Sequence, residues 1–240
     1  MRILTLILIL LLNAQYSWAG VSRSFDGTND EVAMGNVHDV TTNDFTIGIW
    51  VRSTENASFE VYIGKRATGG GVGYNLDQSS ADVTACSVSD GTDVVFSLDP
   101  TDNDGVWTFI ACTYDDDLVG VVQTTAYFHN AVQVDTDSSI LVGSATSANT
   151  FRVGQDGAGD EDYAGLAAYG FVWIDKVMTA TDLAEFMWKP DLMEQASGFW
   201  PLWGNSPEID LSASANTGTV AGGTVSASGP NVGFGGLLPL

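Results

Sequence analysis

Basic residues are scarce in this chain: 8 Lys and Arg stand against 30 Asp and Glu, a formal net charge of −22. A surface of that sign repels phosphate backbones and anionic lipid and gathers cations, which excludes nucleic acid as a partner. Histidine is scarcer still. His38 and His129 form no HExxH pair and have no Cys ligands near them, so zinc hydrolysis lacks its parts. No G-x-S-x-G turn offers a serine nucleophile, and Gly69-Gly70-Gly71 lacks the Lys and following helix of a phosphate loop. Cysteine is limited to Cys86 and Cys112, both in strand-like runs. An even count suits a disulfide in an oxidising compartment, yet two buried thiols fit the same runs, and spacing does not choose between them.

Long apolar runs are absent after the first residues, so no membrane insertion is expected. At the start, Arg2 precedes the apolar run Ile3 to Leu12, and Ser17-Trp18-Ala19 offers small residues for cleavage. Residues 1–19 therefore read as an export signal, and the protein is expected to be secreted. The sequon Asn56-Ala57-Ser58 could carry a glycan in a eukaryotic host. The rest of the chain suits one domain, 20–211, followed by a Gly/Ser/Thr-rich strand and tail, 212–240.

Period-two alternation dominates what remains. Phe45, Ile47, Ile49 and Val51 share one face, with Thr46, Gly48, Trp50 and Arg52 on the other. Val94, Phe96 and Leu98 repeat the pattern, as do Trp107, Phe109 and Ala111. Such runs, divided by Asp-Gly turns at Asp26, Asp90, Asp104 and Asp156, predict half-buried antiparallel strands. About a dozen strands at this spacing imply an all-β, two-sheet jelly roll. One helix is expected where Thr179-Ala180-Thr181-Asp182 forms a capping box ahead of Leu183, Phe186 and Met187, with Pro190 ending it. Trp188, Trp200 and Trp203 are expected to pin that helix to a sheet.

Six segments resemble the laminin-G-like jelly-roll domains of the concanavalin A-like lectin/glucanase superfamily. Ser24 to Val32 resembles the opening "FDG-x-x-D-x-V" strand pair, and Phe45 to Val51 the "FTISAWV" strand. Trp107 to Asp115 is similar to "WHHVAATYD", and Tyr127 to Ala131 to "LYVNG", with Ala131 where Gly is usual. Phe151 to Gly154 with Tyr163 to Gly165 resembles "LRIG…FxG", and Asp175 to Thr179 resembles "DRALS". The resemblance implies a sandwich that binds glycans or proteins, without naming a ligand.

Glucanases of this superfamily set acidic residues on one strand face as "E-x-D-x-E". Glu208-Ile209-Asp210 begins that pattern, but Ser212 stands where the second Glu belongs, so no enzyme is expected. Tyr74 and Tyr163, beside Gly- or Asp-rich loops, are candidate sugar-stacking residues. Asp156, Asp160 and Asp162 crowd one loop, and Val153-Gly154-Gln155-Asp156 resembles the "L-G-Q-E" start of the pentraxin calcium loop. Carboxylates so crowded repel one another, so the loop either stays a solvated acidic turn or recruits Ca²⁺, and the resemblance makes these three residues the candidate ligands. The chain reads as a secreted, non-catalytic module for carbohydrate or glycoprotein. Its alternative is a structural or adhesion module on a cell, matrix or virion surface.

Overall fold

The computed structural model describes residues 20–41, 43–54, 59–67, 69–79, 83–101, 104–116, 122–141 and 143–232. Residues 1–19, expected to be an export signal, and the sequon at Asn56 lie outside these residues. Strands are numbered here in chain order. The first sheet runs β10 (Val132–Ser139), β9 (Gln123–His129), β8 (Thr108–Asp115), β3 (Phe45–Ser53), β12 (Ala164–Ile174), β1 (Ser22–Asp26), β15 (Thr224–Ser226). A short β13 (Gly198–Trp200) also pairs with β12. The second sheet runs β14 (Thr219–Ala221), β2 (Glu31–Ala33), β11 (Arg152–Val153), β4 (Glu60–Gly64), β5 (Gly73–Gln78), β6 (Thr84–Ser89), β7 (Val94–Asp99). The paired strands are antiparallel; of the Asp-Gly turns, Asp90-Gly91 closes the β6–β7 hairpin, whereas those at Asp26, Asp104 and Asp156 carry the chain from one sheet to the other.

Between the sheets lies the main core. Phe45, Ile47, Ile49 and Val51 of β3 meet Tyr62, Tyr74, Leu76 and Val88 of the second sheet. A disulfide joins Cys86 on β6 to Cys112 on β8 across this core, with Cα atoms 5.8 Å apart. The other face of β3 is buried too. Trp50, Phe109, Phe171 and Phe199 form a second apolar layer under the helix α1 (Ala180–Trp188), which contributes Leu183 and Met187. Thr179 caps α1 in a capping box with Asp182, and a 3-10 turn opens at Pro190. Strands expected to be half-buried thus become fully buried wherever the helix covers them. Trp203 packs on this second layer, whereas Trp200 lies in the main core and Trp188 is 53% exposed.

The segment after residue 212 supplies β14 to the edge of the second sheet and β15 to that of the first, so it bridges both layers. On β7 the apolar set faces outward. Val95, Ser97 and Asp99 point in, while Phe96 is 43% and Leu98 39% exposed. An inward Asp99 is tolerated because its carboxylate meets His129 Nδ1 of β9 at 2.7 Å. Among the described residues, no helix is long and apolar enough to cross a membrane.

Candidate functional site

Neither tyrosine expected to stack on a sugar is available to one. Alternation on β5 places Tyr74 with Leu76 in the core, fully buried, its hydroxyl donating to the His38 carbonyl at 2.7 Å. Tyr163 is equally buried, edge-on to Tyr62 at 5.1 Å, and donates to the Leu166 carbonyl at 2.9 Å. Burial pushes both phenols well above their ordinary value. This corrects their assignment as ligand-binding residues: a Tyr at a strand end can face either layer, and packing turned both inward.

The acidic loop also turns on itself. Asp156 is buried, and its Oδ1 accepts the backbone N–H of Ala158, Gly159 and Asp160, each at 2.9 Å. Asp162 Oδ1 accepts from the Asn29 amide at 2.8 Å and from Gln155 Nε2 at 2.5 Å, while Asp160 is exposed. Backbone donors thus offset the repulsion expected to recruit a cation. Among the described residues, no three His, Cys, Asp or Glu side chains converge as a metal site. Glu208 and Asp210 are structural. Glu208 pairs with buried Arg23 at 2.8 Å, and Asp210 accepts the amides of Phe199, Ser212 and Asn216.

What the sequence reading missed is a groove of about 240 Å³ on the outer face of the second sheet. Register explains it. Asn75 of β5, Ser87 of β6 and Phe96 of β7 stand in one cross-strand row, and Asp77, Ala85 and Leu98 in the next. The polar set of β5 and β6 therefore shares a face with the outward apolar set of β7. Phe59, Val94, Phe96 and Leu98 supply the apolar lining, and Arg66, Asp77 and Ser87 the polar one.

Arg66 is held from several sides. The Asn75 side chain grips its backbone at both ends, accepting from the Arg66 N–H and donating to the Arg66 carbonyl, each at 3.0 Å. Its Nε donates to the Gly71 carbonyl at 3.1 Å and its Nη1 to Ser87 Oγ at 3.3 Å. Ser87 Oγ in turn donates to Asp77 Oδ2 at 3.0 Å. The two charges thus meet through a hydroxyl, and among the described residues Arg66 has no salt-bridge partner. Burial raises the Asp77 carboxyl to about 7, against the Ser87 hydrogen bond and the Arg66 charge. Burial also lowers the Arg66 guanidinium, against the charges of Asp77 and Asp156. A larger depression of about 380 Å³ lies on the first sheet beside α1, where Phe128, Met178 and Asp115 stand among threonines, but among the described residues no Arg or Lys lines it.

The model of the concanavalin A-like lectin/glucanases superfamily, in its laminin-G form, matches residues 26–184. The chain belongs to this family. Its jelly roll is shared with a Bacteroides ovatus protein proposed to bind carbohydrate, at TM-score 0.67 and 16% identity. That match covers 90% of this chain but only 62% of the other. A heptameric SAP-like pentraxin from Limulus polyphemus matches at TM-score 0.59 and 13% identity, covering 88% of this chain and 96% of the pentraxin. At these identities the likeness is one of fold. No curated protein matches the chain.

Proposed function

We propose that this laminin-G-like domain is a secreted, non-catalytic binding module that takes saccharide in the outer groove of the second sheet. The observation that carries this reading is the pairing of a fixed polar floor with exposed Phe96 and Leu98. Sugars present an apolar ring face and a rim of hydroxyls, and a site with one aromatic wall and a few pre-placed donors and acceptors meets both. The proposal that the Bacteroides ovatus protein binds carbohydrate points the same way. Glu208 and Asp210, the carboxylates nearest to a glucanase pattern, are engaged in internal hydrogen bonds away from this groove, which supports a module without hydrolytic activity.

A glycan array with the full chain, with and without millimolar calcium, tests this reading. Binding to at least one glycan class is expected. Phe96→Ala should weaken it about tenfold or more, with melting temperature within about two degrees of the parent, because the ring is exposed. No glycan bound under either condition would favour the adhesion alternative. The calcium arm decides whether Asp156, Asp160 and Asp162 contribute a cation to binding.

A further inference from the structure

We infer that the groove selects a saccharide bearing an anionic group, a uronate in an otherwise neutral glycan, with that group on the Arg66 fork and Asp77 gating its entry. The inference rests on the groove being the binding site. Among the described residues, Arg66 is the only cation lining it. Its backbone and Nε are fixed by Asn75 and Gly71, so the planar fork is oriented before any ligand arrives. Among the described residues no acceptor faces Nη2, and Ser87 occupies only one side of Nη1. A held, partly desolvated guanidinium with spare donors matches a carboxylate, which it can bind in bidentate fashion.

The neighbouring acid does not quench that charge. Asp77, 3% exposed on the groove floor, reaches Arg66 only through Ser87. Near neutral pH much of it is uncharged, because burial holds its carboxyl at about 7. The charged and titratable groups acting on this pair are Arg66 itself, Asp156 beside it, and the Tyr127 phenol behind Asp77 in the core. Below neutrality Asp77 is a neutral acid beside the incoming anion, and above it a second negative charge repels that anion. Bound anion therefore favours proton uptake, so affinity falls as pH rises through 7. A groove of about 240 Å³ suits one sugar ring, and Phe96 offers that ring a face. The net charge of −22 disfavours densely charged polyanions, so a single uronate among neutral sugars fits better than a sulfated or nucleic-acid polymer.

Calorimetry with the full chain and three probes tests this: a neutral oligosaccharide, the same chain ending in a uronate, and the same chain ending in a sulfated sugar. The uronate probe is expected to bind at least tenfold more tightly than the neutral one at pH 6, and to lose about tenfold between pH 6 and pH 8. Arg66→Gln should abolish the preference, Arg66→Lys should retain part of it, and Asp77→Asn should remove the pH dependence. Circular dichroism on each variant establishes that it is folded. Equal binding of neutral and uronate probes, still sensitive to Phe96→Ala, would overturn the anion reading and leave the groove standing. Preference for the sulfated probe would overturn the choice of uronate. Uronate binding insensitive to both Arg66→Gln and Phe96→Ala would remove the groove itself.

Discussion

Tyr163 shows how one side chain can look functional in sequence and be structural in space. Its hydroxyl accepts the Arg52 amide at 3.3 Å and donates to the Leu166 carbonyl at 2.9 Å, tying β12 to the end of β3. Tyr163→Phe should therefore lower stability by about 1–2 kcal/mol in urea unfolding, since two buried backbone groups lose a partner. Glycan affinity should stay within twofold of the parent, and a larger loss would return Tyr163 to the site. Arg66 is the reverse case. Nothing in the run Gly64-Lys65-Arg66-Ala67 marks it, because the groove depends on Asn75, Ser87 and Asp77 arriving from two other strands. Ala131 illustrates a legible detail: the family's usual Gly is replaced at a turn where φ is 62°, a left-handed value glycine adopts more readily.

At the scale of elements, the disulfide is the one side-chain cross-link between the sheets, the chain having only two cysteines. It joins β6 and β8, whose sequence separation is 26 residues. Closing a loop of that length removes unfolded-state entropy worth about 3 kcal/mol. Replacing both cysteines, as Cys86→Ala with Cys112→Ala, should reduce unfolding free energy by about that amount, measured by urea titration under oxidising conditions. A loss under about 0.5 kcal/mol would mean the bond is not formed in the protein. The helix was readable because its capping box and apolar spacing are local. The orientation of β7 was not. Its two faces, Val94-Phe96-Leu98 and Val95-Ser97-Asp99, differ in polarity, and hydrophobicity alone assigns the wrong one to the core. The Asp99–His129 pair reverses that assignment, and it needs a strand from the other sheet.

Across the whole molecule, two buried titratable groups pull stability in opposite directions with pH. Asp77 is held at about 7 against an ordinary 3.8, so the native state keeps a proton that the unfolded chain releases between about pH 4 and 7. Its contribution is therefore present at low pH and lost as pH rises through that window. His38, packed between Phe151 and Trp200, is lowered by burial to about 4. The unfolded chain takes up a proton there first, so stability falls as pH drops from 6.5 towards 4. The two slopes offset each other over much of that range. Asp77→Asn should expose the difference: the variant is expected to exceed the parent by about 4 kcal/mol at pH 8 and to match it near pH 4. A gap independent of pH, read from paired urea titrations, would show that Asp77 does not titrate there.

Alternation, Asp-Gly turns and six ordered segments were enough to determine the jelly roll, the helix and the family, because each signal is carried by residues adjacent in the chain. The poverty of bases and histidines likewise bounded the chemistry, since composition acts through the whole surface. Which face of β7 turns outward, which tyrosines are buried and where Arg66 points were decided only by tertiary structure. Each depends on hydrogen bonds and register between strands far apart in sequence, and a period-two pattern reads the same whichever face meets the core.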